Sequence, residues 1–379
     1  HSYVQVHFEI RDGEVVQVAG DDQTPVARYE AKDEEVESLC DSLIHPFSVQ
    51  NDKKLYRAAI ITSESSTTLF LDMHHLIVDG TSANIIIKEL IDALNGNAIE
   101  KEEYTYFDYC TDEKEWMKSD SFKTDKAYFD RMFAEADEGT IDIPYNLNGS
   151  DHHEARDVFA RFNAETLEHR AIALESTPAS ICLAATVKAA AAFSGMQQVL
   201  TSIITTGRND VRTGGTVGMM VKNVPALIKP QEDAGKLIKD ATEVMSATLD
   251  HDSYPFAQIC EDYGYKPKMA DSYQRGLVEN MSVDGSPAKF TEIAQKAPKA
   301  EILVMIEDDA EGAYVRVEFD ASLYTDEFMQ AYAEVIAETI NSLSAGENIL
   351  PIPENQKSAL KAFNDAVAHE YDKSATIVD

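Results

Sequence analysis

The chain is poor in cysteine and in positive charge, and it has no long apolar run. Its four cysteines, Cys40, Cys110, Cys182 and Cys260, lie far apart and form no CxxC pair. That spacing excludes a zinc ribbon and a disulfide framework, and it suits a reducing compartment. No apolar run approaches the roughly 18 residues that a membrane-spanning helix needs. The first residues carry no charged-then-apolar leader pattern. Lys and Arg number 33 against 67 Asp and Glu, a net charge of −34. Such a surface disfavours nucleic acid and anionic membranes as partners and keeps a large protein dispersed. A cytoplasmic protein with no nucleic-acid or membrane partner is expected. No internal repeat of about 20–50 residues is visible.

What is present is length and apolar content. The 379 residues are 44% hydrophobic, enough for roughly two or three core-sized units. The chain begins at His1 almost inside a strand pattern, so an upstream piece is expected to be missing.

The stretch from Leu71 to Gly80 concentrates the chemistry. Leu69, Leu71 and Met73 alternate with Phe70 and Asp72, which predicts a half-buried strand over 67–73. His74 and His75 end it. A turn with Asp79 and Gly80 follows, and then an amphipathic helix Ser82–Leu94, with Ser82 as its expected N-cap and Gly96 past its end. An imidazole at a strand end can handle a nucleophile's proton. A backbone N–H at Gly80, near a helix start, can face a developing oxyanion. Neighbouring side chains of a strand diverge, so His74 points away from His75 and reads as a core histidine. For the same reason the pair is a poor metal site, and no metal is expected. A second pair, His152-His153, sits among acids in a loop and reads as solvated.

The remaining pattern is mixed α/β. Val4, Val6, Phe8 and Ile10 alternate with polar residues, and Asp12-Gly13 turns that strand back into Val15–Val18. A helix is predicted over 34–43, strands over Leu55–Thr62 and Asp157–Phe162, and an alanine-rich helix from Pro178 to about Gly195, capped by Thr177. Strand Gln198–Thr205, helix 232–249, strands 301–307 and 313–319 and a helix from Asp326 to about Leu343 follow. A lobe boundary is expected within 118–150. We take 1–125 as the first unit, 126–350 as the second, and 351–379 as a C-terminal helix and linker.

The spelling His74-His75-x-x-x-Asp79-Gly80-x-Ser82 resembles the HHxxxDG signature of nonribosomal peptide synthetase condensation domains, which belong to the chloramphenicol-acetyltransferase-like superfamily. Other segments follow in the family's order. Residues 1–18 resemble its H-x-x-L-R-T-x-F strand and hairpin, with Gln5 at the arginine place. Tyr106 to Trp116 resembles its aromatic helix, Gly207-Arg208 its G-R strand end, and Gly218 to Pro225 its I-G-x-F-V-N-T-x-P segment, with Lys222 as an extra residue. His251 to Phe256 is similar to its H-Q/D-x-x-P-F segment. Phe363-Asn364-Asp365 and the last four residues resemble the linker to an adenylation domain.

The resemblance implies two acyltransferase-like α/β lobes set as a V-shaped pseudo-dimer with a tunnel between them. It implies amide-bond formation between two carrier-bound thioesters delivered on phosphopantetheine arms, with no intrinsic cofactor. The partners would be upstream and downstream carrier domains and a downstream adenylation domain. His75 and Gly80 would be catalytic, with His74, Asp79 and Ser82 supporting the site. Arg208 and Asn223 would line the tunnel or cross between lobes. The family's arginine at the Gln5 place is expected to pair with the motif aspartate. Two alternatives stand beside this reading, a non-catalytic recruitment module and an epimerisation-type relative.

Overall fold

The computed structural model describes residues 1–21, 25–136, 143, 153–274, 281–293 and 297–348. The C-terminal helix and linker expected over 351–379 lie outside these residues, as does His152. The elements in order are β1 (Val6–Arg11), β2 (Glu14–Ala19), β3 (Ala27–Glu30), α1 (Val36–Leu43), β4 (Tyr56–Thr62), β5 (Thr67–Met73) and α2 (Gly80–Leu94). Two helices, α3 (Tyr106–Trp116) and α4 (Asp120–Glu135), lead to β6 (Ala155–Arg161), α5 (Ala164–Ala173), α6 (Pro178–Ser194), β7 (Val199–Thr205) and β8 (Lys222–Ile228). Then come α7 (Ala234–Asp250), α8 (Phe256–Tyr263), β9 (Met269–Tyr273), β10 (Met281–Val283), β11 (Ser286–Ala288), β12 (Ile302–Asp309), β13 (Gly312–Asp320) and α9 (Asp326–Ala345).

The strands form two main sheets. The first has order β3-β4-β5, and the hairpin β1-β2 stands beside it as a separate pair. In that hairpin Asp12 and Gly13 both take positive φ, the backbone of a two-residue turn whose twist matches its strands. The second sheet has six strands in order β6-β13-β12-β9-β7-β8. Its centre is parallel, since β9 runs alongside both β12 and β7. Pro225, which has no N–H to give, sits in β8, an edge strand where that loss is tolerated.

The largest core lies between this sheet and helices α6, α7 and α9. Helix α6 is buried from Ser180 through Ala190, and its alanines let α9 and α7 approach closely. Thr177 caps it through the Ser180 N–H, Pro178 occupies its first turn, and Gly195 ends it in the left-handed region. Thr325 caps α9 in the same way through the Phe328 N–H. No single helix among the described residues is long and apolar enough to cross a membrane.

Several expectations need correction. Val4 is not in the first strand, because Ser2–Gln5 is a 3-10 turn that buries Tyr3. The Gln5 carbonyl accepts from the Gly20 N–H, and a Cβ on Gly20 would stand 2.4 Å from that oxygen. The cap of α2 is Asp79 and not Ser82. Its apolar stripe is only half-buried, with Ser82 the one buried residue of the helix. Position 125/126 falls inside α4, whose Phe129 and Met132 pack with Leu200 and Val224 of the large sheet. His153 is exposed, but its ring pairs with the buried carboxylate of Asp320.

Candidate active site

Strand β5 delivers the motif to the surface of the first sheet. The His74 N–H still pairs with the Leu55 carbonyl at 2.8 Å, and then the chain leaves the sheet. The half-buried His74 ring accepts the Leu76 N–H at Nδ1 (3.0 Å) and meets Phe47 edge-on at 5.9 Å. Burial, helped by the neighbouring His75, holds His74 below the usual histidine pKa. A neutral ring that accepts a backbone N–H shapes the turn. His75 is exposed.

Ile77 and Val78 bury into the cluster of Tyr3, Val6 and Leu55 and draw the turn inward, so that Asp79 enters fully buried. Its Oδ1 accepts the Ser82 N–H at 2.7 Å, which caps α2. Its Oδ2 accepts the Met220 N–H at 2.9 Å. Arg208 Nη2 donates to both oxygens, at 3.1 and 3.2 Å. The carboxylate is thus paired and hydrogen-bonded, as a buried charge must be. Its cation comes from a residue 129 positions away and not from position 5. The substitution at Gln5 therefore leaves the charge balance of Asp79 intact.

Arg208 is fixed in turn. Its Nη1 donates to the carbonyls of Thr213 and Thr216, both at 2.7 Å, and Nη2 also reaches Ser82 Oγ at 2.9 Å. The side chains of Asp79 and Arg208 are 0% and 7% exposed, so solvent screens this pair little. Gly207 makes the approach. It sits at φ +63°, and a Cβ there would lie 1.9 Å from the Met220 carbonyl oxygen. Gly80 differs. Nothing stands within 4 Å of where its Cβ would be, so open space lies beside the helix start.

Asn223 lies near the start of β8. It pairs with Ile204 within the large sheet, and its buried Oδ1 has no hydrogen-bond partner. Beside it, Lys222 forms an ion pair with Glu113 of α3 at 2.9 Å. Burial alone would lower the Lys222 pKa, but Tyr109 and Glu113 outweigh it and the net shift is upward. A cleft of about 520 Å³ opens here, lined by Tyr109, Gly207, Asn209, Lys222, Asp252 and their neighbours. No residue of the 74–80 turn lines it. His251 pairs with Asp125 of α4 at 2.7 Å, and Asp252 is bonded by Thr205 and Asn209. No group of three His, Cys, Asp or Glu among the described residues is placed to hold a metal ion.

The site joins a strand-end histidine, an open helix N-terminus and a buried carboxylate anchored by the connection between β7 and β8. The fold that carries it is found in solved proteins. The structure superposes on the condensation domain of the monacolin K polyketide synthase MokA with a TM-score of 0.78 at 17% identity, covering 92% of this chain and 87% of that one. The X-domain from teicoplanin biosynthesis gives 0.79 at 14% identity, over 93% and 87%. The epimerization domain of tyrocidine synthetase B gives 0.74 at 15%, over 91% and 86%.

The family profile described as Condensation domain matches residues 3–365, and the chain belongs to that family. Among curated relatives, tyrocidine synthase 3 of Brevibacillus parabrevis is 24% identical over 99% of this chain and 6% of its own length. Bacitracin synthase 1 of Bacillus licheniformis is 26% identical over 88% of this chain and 7% of its own. The chain thus spans under a tenth of either synthase.

Proposed function

We propose that the chain is a catalytic condensation domain of a nonribosomal peptide synthetase, working in the cytoplasm on two carrier-bound substrates. The donor is an acyl or peptidyl thioester on an upstream carrier. The acceptor is the amine of an aminoacyl thioester on a downstream carrier, which a neighbouring adenylation domain would load. Both substrates arrive on phosphopantetheine arms. The amine nitrogen attacks the donor carbonyl, the C–N bond forms, the C–S bond breaks, and the amine's proton leaves as the departing thiolate is protonated.

The observation that carries this reading is the pairing of an exposed His75 with open space at Gly80, on a turn whose His74 and Asp79 side chains both accept backbone N–H groups. A free α-amino group has a pKa of about 7.7–8.0, so roughly a tenth is neutral at pH 7. A thioester is an activated acyl donor, and a strong base is not required. Orientation supplies much of the acceleration, since well-placed reactants gain about 7–11 kcal/mol. His75 orients the amine and takes its proton late. The Gly80 N–H, at the first turn of α2, faces the carbonyl oxygen as it gains charge. Asp79 and Ser82 hold the turn and do not touch substrate.

The test mixes the protein with donor-loaded and acceptor-loaded carriers and looks for the new amide by mass spectrometry. Wild type is expected to give product, and His75→Ala to lose at least a hundredfold in rate. Near wild-type turnover by His75→Ala would end the assignment. The fold is shared with an X-domain solved in complex with OxyB and with an epimerization domain, so two other outcomes are informative. Binding without product identifies a recruitment module. Inversion of a carrier-bound residue identifies an epimerase.

A further inference from the structure

Thr216 to Val221 of the second lobe form neither helix nor strand, and most of them are buried. A buried irregular segment has no ladder of its own, so its backbone groups need other partners. Thr216 is held by the Thr213 carbonyl and by Arg208, whereas side chains of the first 106 residues supply partners to residues 217–220. The Val217 N–H donates to Glu102 Oε1 at 3.0 Å. The Gly218 N–H donates to Ser82 Oγ at 3.0 Å, and the same hydroxyl donates to the Gly218 carbonyl at 2.8 Å. The Tyr106 hydroxyl donates to the Met219 carbonyl at 2.7 Å. The Met220 N–H donates to Asp79. Gly218 is pressed against the Tyr106 ring so closely that a Cβ would meet Cδ2 at 2.1 Å.

We infer that Glu102, Ser82 and Tyr106 are positioning residues for the coupling reaction, acting together through residues 217–220. They clamp this segment as a fixed wall against the His74–Gly80 turn. The link to the chemistry is Asp79. One carboxylate takes the Met220 N–H with Oδ2 and caps α2 with Oδ1, so a shift of the wall shifts the helix start at Gly80. The inference rests on the reading that His75 and Gly80 serve amide formation. It adds that the precision of their placement is set through a second-lobe segment held by three first-lobe side chains that need not meet substrate.

The test compares Tyr106→Phe, which removes one oxygen, with Ser82→Ala and with Glu102→Ala against Glu102→Gln. Two readouts are taken on variants that melt cooperatively. Single-turnover coupling at saturating carriers is expected to fall about tenfold or more in Tyr106→Phe and Ser82→Ala, with half-saturating carrier concentrations within about twofold of wild type. Glu102→Gln, which keeps an acceptor for the Val217 N–H, is expected to recover most of what Glu102→Ala loses. The double variant Ser82→Ala/Tyr106→Phe should lose little more than the worse single one, because both act through one segment. Amide exchange at Val217, Gly218 and Met220 is expected to speed up at least tenfold in the same variants. Wild-type protection of these amides overturns the inference whatever the coupling assay gives, and so does a loss confined to carrier affinity. Faster exchange together with a wild-type protein that makes no amide would overturn the proposed function and leave the clamp in place.

Discussion

Replacing Arg208 with methionine tests the anchoring of the motif most directly. The change keeps much of the apolar stem and deletes the guanidinium. In the native protein that group makes five contacts within 3.2 Å, two to Asp79, one to Ser82 and one each to the Thr213 and Thr216 carbonyls. Removing it leaves a fully buried carboxylate with only the Ser82 and Met220 N–H groups as donors. Breaking one partner of a buried ion pair costs roughly 3–5 kcal/mol, because the other charge stays behind uncompensated. A loss near the lower figure shifts the folding equilibrium more than a hundredfold.

Two controls follow from the same geometry. Asp79→Asn in the Arg208→Met background removes the stranded charge, so the double variant should be less destabilised than the two single losses added together. Added salt should change little, since the pair is out of solvent. The assay is urea unfolding followed by the fluorescence of Trp116, the one tryptophan, which packs on Phe122 beside the large sheet. An Arg208→Met protein within about 1 kcal/mol of wild type, or a double variant that is simply additive, would refute the reasoning.

Two further outcomes can be measured independently. Gly207→Ala combines a left-handed backbone with a Cβ that would overlap the Met220 carbonyl, and it should destabilise by more than about 2 kcal/mol and abolish coupling; an unchanged melting temperature would contradict this. Burial pushes the carboxyl of Asp271 up to about 7 even though Thr201 bonds it at 2.6 Å, so the folded state holds a proton that the unfolded state has lost. Its contribution to stability is fully present below the unfolded value near 3.8 and is lost as pH rises through about 7. Asp271→Asn removes that dependence, and its stability relative to wild type should rise across this window by at most about 4 kcal/mol; a difference that does not change with pH would overturn the assignment.

What could be read from the sequence divides by the range of the interactions involved. The α6 and α9 caps and the Asp12-Gly13 hairpin depend on residues within four or five positions of one another, and each falls where the local pattern puts it. Strand β9 shows the opposite case. Asp271 and Ser272 look wrong for the centre of a sheet, and nothing nearby in sequence reveals that Thr201, 70 positions away, bonds the Asp271 carboxylate. The turn after β5 combines both kinds of interaction. Its strand, its helix and its family spelling are local and legible, yet the choice of cap is not. Ser82 has the right position and chemistry to cap α2, but its hydroxyl is spent on Gly218, 136 positions on, and Asp79 caps the helix instead. The cation for Asp79 likewise comes from the loop after β7, and only the folded chain brings it within reach. A site built where two distant loops meet takes its residues from both. Rules that look a few positions ahead can therefore find its histidine but not the groups that hold it.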